Sequence, residues 1–151
     1  MTRTVSGDDY AEISNLYAFY NLCSDGGDAE GYAGCFTTDG VMDQVSRGLV
    51  IRGRADLVAY KRQDAASRGG RYRRHWNSGL YLRHEDDDRI RGICYLFAYN
   101  GDPGKLPVLQ ACGSYDDTIV REAGAWKFAC RRLTMEGRID MPPGVPIGNR
   151  S

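Results

Sequence analysis

Between Tyr72 and Met135 the chain repeats one pattern four times: a long run of alternating apolar and polar residues, closed by a short turn. The runs are about Tyr72 to His84, Arg89 to Tyr99, Val108 to Arg121 and Trp126 to Met135. Their connections, Asp86-Asp87-Asp88, Gly101-Asp102-Pro103-Gly104 and Ala123-Gly124, carry the residues of hairpin turns. Four consecutive strands joined in this way form an antiparallel meander, and such a sheet has an apolar face that something must cover.

The cover is expected upstream. Asp8 or Asp9 can cap a helix whose apolar positions Ile13, Leu16, Tyr17, Tyr20 and Cys23 follow i, i+3, i+4 spacing. Gly26-Gly27 ends it, and Asp28 can cap a short second helix from Ala29 to Phe36. Thr38-Asp39-Gly40 reads as a turn, followed by short strands at Val41 to Val45 and Gly48 to Ile51. A third helix from about Ala55 to Ser67 carries Leu57, Val58 and Tyr60 and breaks at Gly69-Gly70. Helices first and a meander afterwards predict an α+β domain over residues 1–140. The tail at 141–151 has prolines and glycines without periodicity and is expected to be a surface arm or a cover on a neighbouring subunit. Gly79, Gly92 and Gly113 lie inside strand patterns, where glycine marks bulges and sharp bends. A sheet bent at these points becomes a cone closed by the first helix, with an apolar cavity inside.

Composition removes several function classes. A chain of 151 residues can bury a real core, and 20 basic against 20 acidic residues give no general attraction to nucleic acid or acidic membranes. Arg71-Tyr72-Arg73-Arg74 mixes bases and aromatics, yet without a binding module around it this is a solvated strand edge. No apolar run approaches the ~20 residues of a membrane helix, and the first residues lack the apolar core of a signal peptide. Cys23, Cys35, Cys94, Cys112 and Cys130 are odd in number and sit mostly in apolar patterns, as reduced packing residues of a cytoplasmic protein do. With no CxxC pair and only two histidines, zinc is not expected, and neither is any other cofactor.

His75 is the residue that points to chemistry. It opens the first long strand, whereas the other histidine, His84, borders the charged turn at Glu85 to Asp88. Asp25 stands where the first helix ends, so the cone can bring its carboxylate to His75. A buried imidazole oriented by a carboxylate is a proton-transfer device near neutral pH. A hydrogen-bonded core histidine beside a capping aspartate is the plainer alternative. Ten tyrosines suit a cavity with an aromatic wall and polar tips. Tyr99, ending a strand near the cone mouth, is either lining or core.

The ordered pieces Leu16-Tyr17 with Tyr20 and Asp25, Asp28-Ala29-Glu30-Gly31-Tyr32-Ala33-Gly34-Cys35-Phe36, Asp39-Gly40-Val41 and Ile51-Arg52-Gly53 are one half of a larger signature. The other half is Arg74-His75-Trp76-Asn77, Gly113-Ser114-Tyr115-Asp116-Asp117 and Gly124-Ala125-Trp126-Lys127-Phe128-Ala129 leading to Arg131. Together they resemble the SnoaL-like branch of the nuclear transport factor 2-like superfamily. That branch includes scytalone dehydratase, bile acid 7α-dehydratase, hexachlorocyclohexane dehydrochlorinase, polyketide cyclases and ketosteroid isomerase. The resemblance implies a cone-shaped α+β barrel, with helices packed on a strongly curved, mostly antiparallel sheet. It implies His75 as general base, Asp25 as its orienting partner and Tyr20 as a hydroxyl that polarises a carbonyl or assists departing hydroxide. Tyr115 and Arg131 fall on substrate-lining positions of relatives, and Tyr99 joins them as a candidate.

The same comparison shows departures. Scytalone dehydratase has a tyrosine just before the aspartate, where this chain has Ser24, and its pocket serine and asparagine fall on Gly113 and Tyr115. The dehydrochlorinase has a lysine at the position of Tyr20. Scytalone and hexachlorocyclohexane are therefore poor candidate substrates. The reading that results is a cofactor-independent dehydratase acting on a small hydrophobic cyclic molecule. Isomerisation or cyclisation with the same pair, or a non-catalytic binding or oxygenase small-subunit role, are the alternatives. A homo-oligomer, trimer or dimer, is expected, because Leu80, Leu82, Cys94, Leu96 and Cys130 have the parity of an outward apolar face.

Overall fold

The computed structural model describes residues 3–139, so the tail expected at 141–151 lies outside the described residues. Helix α1 spans Gly7–Gly26 and is capped by Ser6, whose hydroxyl accepts the Asp9 N–H at 3.1 Å. Serine wins the cap over Asp8 and Asp9, which instead fill the first turn and complement the helix dipole. Asp9 also accepts Trp126 Nε1 at 3.0 Å and Arg121 at 2.6 Å, tying the start of the helix to the last hairpin. Ile13, Tyr17, Tyr20, Cys23 and Ser24 form the buried stripe. Gly27 then leaves the helix in the left-handed region, with its N–H on the Cys23 carbonyl.

Helix α2, Ala29–Gly34, is capped by Asp28 as its sequence predicts but stops short of Phe36. Strand β1 starts there, at Phe36–Gln44, because Phe36 pairs with Phe128 of the last strand. The expected turn at Thr38-Asp39-Gly40 is an irregularity inside β1, where its register shifts between Phe36 and Val41. Strand β2 is Leu49–Arg52 and helix α3 is Arg54–Ala66. The meander follows as β3 (Tyr72–His84), β4 (Arg89–Gly101), β5 (Val108–Glu122) and β6 (Ala125–Arg138).

The six strands lie in the order β2-β1-β6-β5-β4-β3, and only the β1–β6 pair is parallel. The sheet is curved but does not close, since β2 and β3 remain its two edges. Gly79 adopts φ 65° at a bulge between Ser78 and Tyr81, and the β3–β4 register shifts there. Gly113 likewise marks a register shift between β5 and β6. Gly92 lies in unbroken register and serves close approach instead: the Tyr17 hydroxyl occupies the space that a Cβ would need.

The Gly79 bulge has a large effect on burial. Before it, His75 faces inward; after it, Leu82 does, so the inward parity of β3 reverses. The expected outward set is corrected for two reasons: past the bulge Leu82 turns inward and Leu80 packs against the core, while Cys94 and Leu96 are buried because they share the inward parity of β4 with Ala98. The outer face instead presents Trp76, Tyr81, Tyr95 and Phe97.

At the closed end of the cone, Arg131 is fully buried. Its guanidinium centre lies 3.6 Å from the Tyr115 ring centroid, 4.1 Å from Tyr20, 4.5 Å from Phe128 and 4.7 Å from Tyr17. Among the described residues its carboxylate partner is Asp117, at 3.5 Å, and Tyr17 donates to the same carboxylate at 2.5 Å. Burial pushes the Asp117 carboxyl up to about 6, against the opposing pull of Arg131 and Tyr17. Replacing Asp117 by Asn strands a buried cation, so Asp117→Asn should cost about 3–5 kcal/mol in urea unfolding. The double replacement of Asp117 by Leu and Arg131 by Met should cost less than that single change.

Candidate functional site

The wide end of the cone encloses a cavity of about 410 Å³ between α1, α3 and the inner faces of β3 to β6. His75 reaches it from the start of β3, where the alternation of the strand turns its ring toward the helices. Asp25 reaches His75 from the last turn of α1. Its Oδ1 lies 2.5 Å from His75 Nδ1, and its Oδ2 accepts the His75 backbone N–H at 3.0 Å. One carboxylate thus grips both the ring and the main chain, fixing the imidazole plane. An accepting carboxylate requires Nδ1 to carry the proton, which leaves the Nε2 lone pair for a ligand. Burial pushes the His75 pKa down; Asp25 opposes this, while Lys61 and Arg73 add to it. The resting ring is neutral at neutral pH.

Arg68 holds the end of α1 that carries Asp25. Its guanidinium donates to the Asp25 carbonyl at 2.7 Å and to the Ser24 carbonyl at 2.5 Å. These acceptors belong to the last turn, whose carbonyls have no partner within the helix. A cation there also complements the helix dipole. Arg68 is fixed in turn by Asp64 at 2.8 Å, and Asp64 also takes Arg73 at 2.8 Å and Lys61 at 3.2 Å. These three cations hold the Asp64 carboxyl well below the usual range despite its burial.

Lys61 escaped the sequence reading. Its side chain is buried, lines the cavity, donates to Ser24 Oγ at 2.9 Å and lies 4.5 Å above the Tyr32 ring. Burial lowers its pKa to about 8. The signal was its spacing: Lys61 follows Leu57 by four and Val58 by three, so it falls on the buried stripe of α3.

The other expected site residues divide. Tyr20 and Tyr115 line the cavity with His75. The Tyr20 hydroxyl donates to the Tyr32 hydroxyl at 3.4 Å. Arg131 is not a lining residue: the rings of Tyr20 and Tyr115 lie over it and leave it no exposed surface. Tyr99 is also corrected. On β4 the inward positions are Cys94, Leu96 and Ala98, so Tyr99 points outward and stacks edge-on against Trp76 with centroids 4.7 Å apart.

Comparison with known proteins gives the same architecture. Rv3472 from Mycobacterium tuberculosis, a protein of unknown function solved as an aspartate-to-asparagine variant, is 30% identical with a TM-score of 0.76, over 87% of this chain and 74% of that one. ActVI-ORFA from Streptomyces coelicolor is 26% identical with a TM-score of 0.77, over 84% and 96% of the two chains. A protein from Novosphingobium aromaticivorans, described as a candidate scytalone dehydratase, is 20% identical with a TM-score of 0.76, over 94% and 92%. Another neighbour, with a cystatin-like fold, comes from Nostoc punctiforme. No curated protein gives a significant match. The SnoaL-like domain matches residues 6–132, nearly the whole of the helices and sheet. The chain belongs to the SnoaL-like domain family.

Proposed function

We propose that the cavity is the active site of a cofactor-independent lyase that eliminates water from a cyclic β-hydroxy carbonyl compound. The observation that carries this reading is the Asp25–His75 contact in the wall of an open cavity. A scaffold or assembly subunit needs neither the space nor the part-buried pair. His75 Nε2 removes the proton next to the carbonyl, and that electron pair becomes the new C=C bond as the β C–O bond breaks. The departing hydroxide takes the proton back from the imidazolium and leaves as water. Asp25 stabilises the transient imidazolium and holds the tautomer. Tyr20 and Tyr115 offer hydroxyls to the carbonyl oxygen, where charge builds during proton removal.

Steady-state kinetics on a panel of cyclic β-hydroxy ketones and acids tests the assignment. His75→Ala should lower kcat by ~10²–10⁴-fold with the circular dichroism spectrum unchanged. Asp25→Asn should lower it as well, and Tyr20→Phe less. Turnover by His75→Ala at the parent rate removes His75 as the base.

The pH profile follows from the environment of the ring. Only neutral imidazole accepts a proton, so kcat/KM should fall on the acid side. Because burial outweighs Asp25, that limb should lie below the usual histidine value of ~6.5. A limb above that value contradicts the electrostatics described.

We also propose that the chain works as a homo-oligomer, dimer or trimer, in the cytoplasm. Trp76, Tyr95 and Phe97 make an exposed aromatic patch on one side of the sheet, and association would bury it. The five free cysteines suit a reducing compartment. Light scattering should give a dimer or trimer for the parent chain and a smaller species for Tyr95→Arg combined with Phe97→Arg. A monomeric parent at micromolar concentration refutes the assembly.

A further inference from the structure

The charge of the cavity wall is far from that of the whole chain. Acidic and basic residues balance over the sequence, 20 against 20. Around the cavity stand Lys61, Arg47, Arg71, Arg73 and Arg138, while Asp64 is the one lining carboxylate among the described residues. Asp64 is already shared by three cations, Lys61, Arg68 and Arg73. Its single negative charge leaves that cluster with an excess of positive charge in partly buried surroundings. Among the described residues neither Arg47 nor Arg71 has a carboxylate within 4.0 Å; they bond Gln44 and the Arg68 carbonyl instead.

We propose that the ligand of this cavity is an organic acid, its carboxylate held by Lys61 from the inner wall and its approach drawn by Arg71 at the rim. The proposal rests on the reading of the cavity as the substrate site and narrows the substrate from a hydrophobic ring to a ring bearing an acid group. The physical ground is compensation. Uncompensated charge away from bulk water is costly, and a carboxylate beside Lys61 supplies the missing counter-charge through short, charge-assisted hydrogen bonds. Tyr20, Tyr32, Met42 and Leu133 provide the apolar surface for the ring. A second consequence concerns the base. Lys61 and Arg73 both disfavour protonated His75, so an anion that neutralises them makes the imidazole a better proton acceptor when the substrate is in place.

Titration calorimetry at neutral pH and low salt, with 1-naphthoate and the isosteric neutral 1-naphthamide as probes, tests the proposal. The acid should bind at least about ten-fold more tightly than the amide, and the difference should shrink as salt is added. Lys61→Met should remove most of the preference, and Arg71→Gln should weaken acid binding by about two- to three-fold. Should Lys61→Met fail to fold, the parent acid–amide comparison and Arg71→Gln still decide the matter. Equal affinity for acid and amide, binding of neither, or an undiminished preference in folded Lys61→Met overturns the proposal. His75→Ala should keep the acid preference. Acid binding without turnover on any substrate therefore sinks the lyase reading alone, and turnover of neutral substrates without acid preference sinks this one alone.

Discussion

The buried guanidinium of Arg131 is the interaction around which the cone is organised. A cation with no exposed surface must be surrounded by groups that replace water, and here those groups come from α1, β5 and β6 together. Tyr17 and Tyr20 come from the helix, Tyr115 and Asp117 from β5, and Phe128 from the same strand as Arg131. Meeting that one charge fixes how α1 lies across the sheet. Tyr17 also fills the space left by Gly92, so the helix touches β4 as well as β5. The position of Asp25, two turns further along α1, follows from this anchoring. Arg131 thus acts on the cavity through the rings that cover it rather than by touching its contents.

The open end is organised by the same means, with charge in place of aromatic rings. Arg68 closes the carbonyls at the end of α1, Asp64 fixes Arg68, and Lys61 reaches Ser24 just before Asp25. Asp25 is therefore held by its own main chain, and both of its carboxylate oxygens remain for His75. Structure and chemistry share residues here. The network that ends a helix also sets the electrostatic field in which the imidazole titrates.

Much of this was legible in the sequence because it is local. Strand β3 runs from Tyr72 to His84, as its alternation indicates, and the glycine and aspartate turns place the hairpins. The approach of Asp25 to His75 followed from the order of the pieces shared with relatives. Part of what escaped reading depended on a single residue altering a period. Gly79 inserts one position into β3, so residues on either side of it exchange faces, and parity counted through the bulge put Leu82 on the wrong side. Tyr99 was misplaced for a related reason, since its register with Arg74 and Leu109 is set by neighbouring strands. Lys61 was hidden because a lysine on an apolar helix face looks like a solvated residue until Asp64 and Ser24 are seen beside it.

The position of β3 in the strand order bears on how molecules come and go. It is an edge strand, paired on one side with β4 and steadied on the other by α1 rather than by another strand. His75 lies near its start, beyond the bulge from the densely packed half that carries Leu82. Backbone hydrogen bonds at such an edge open at lower free energy than those of β5 or β6, which have a neighbour on both sides. Transient fraying of Tyr72 to Asn77 would widen the cavity and separate the imidazole from its carboxylate in one movement, without disturbing the aromatic end of the cone. Residence time in the pocket and the ordering of its histidine would then share one local equilibrium.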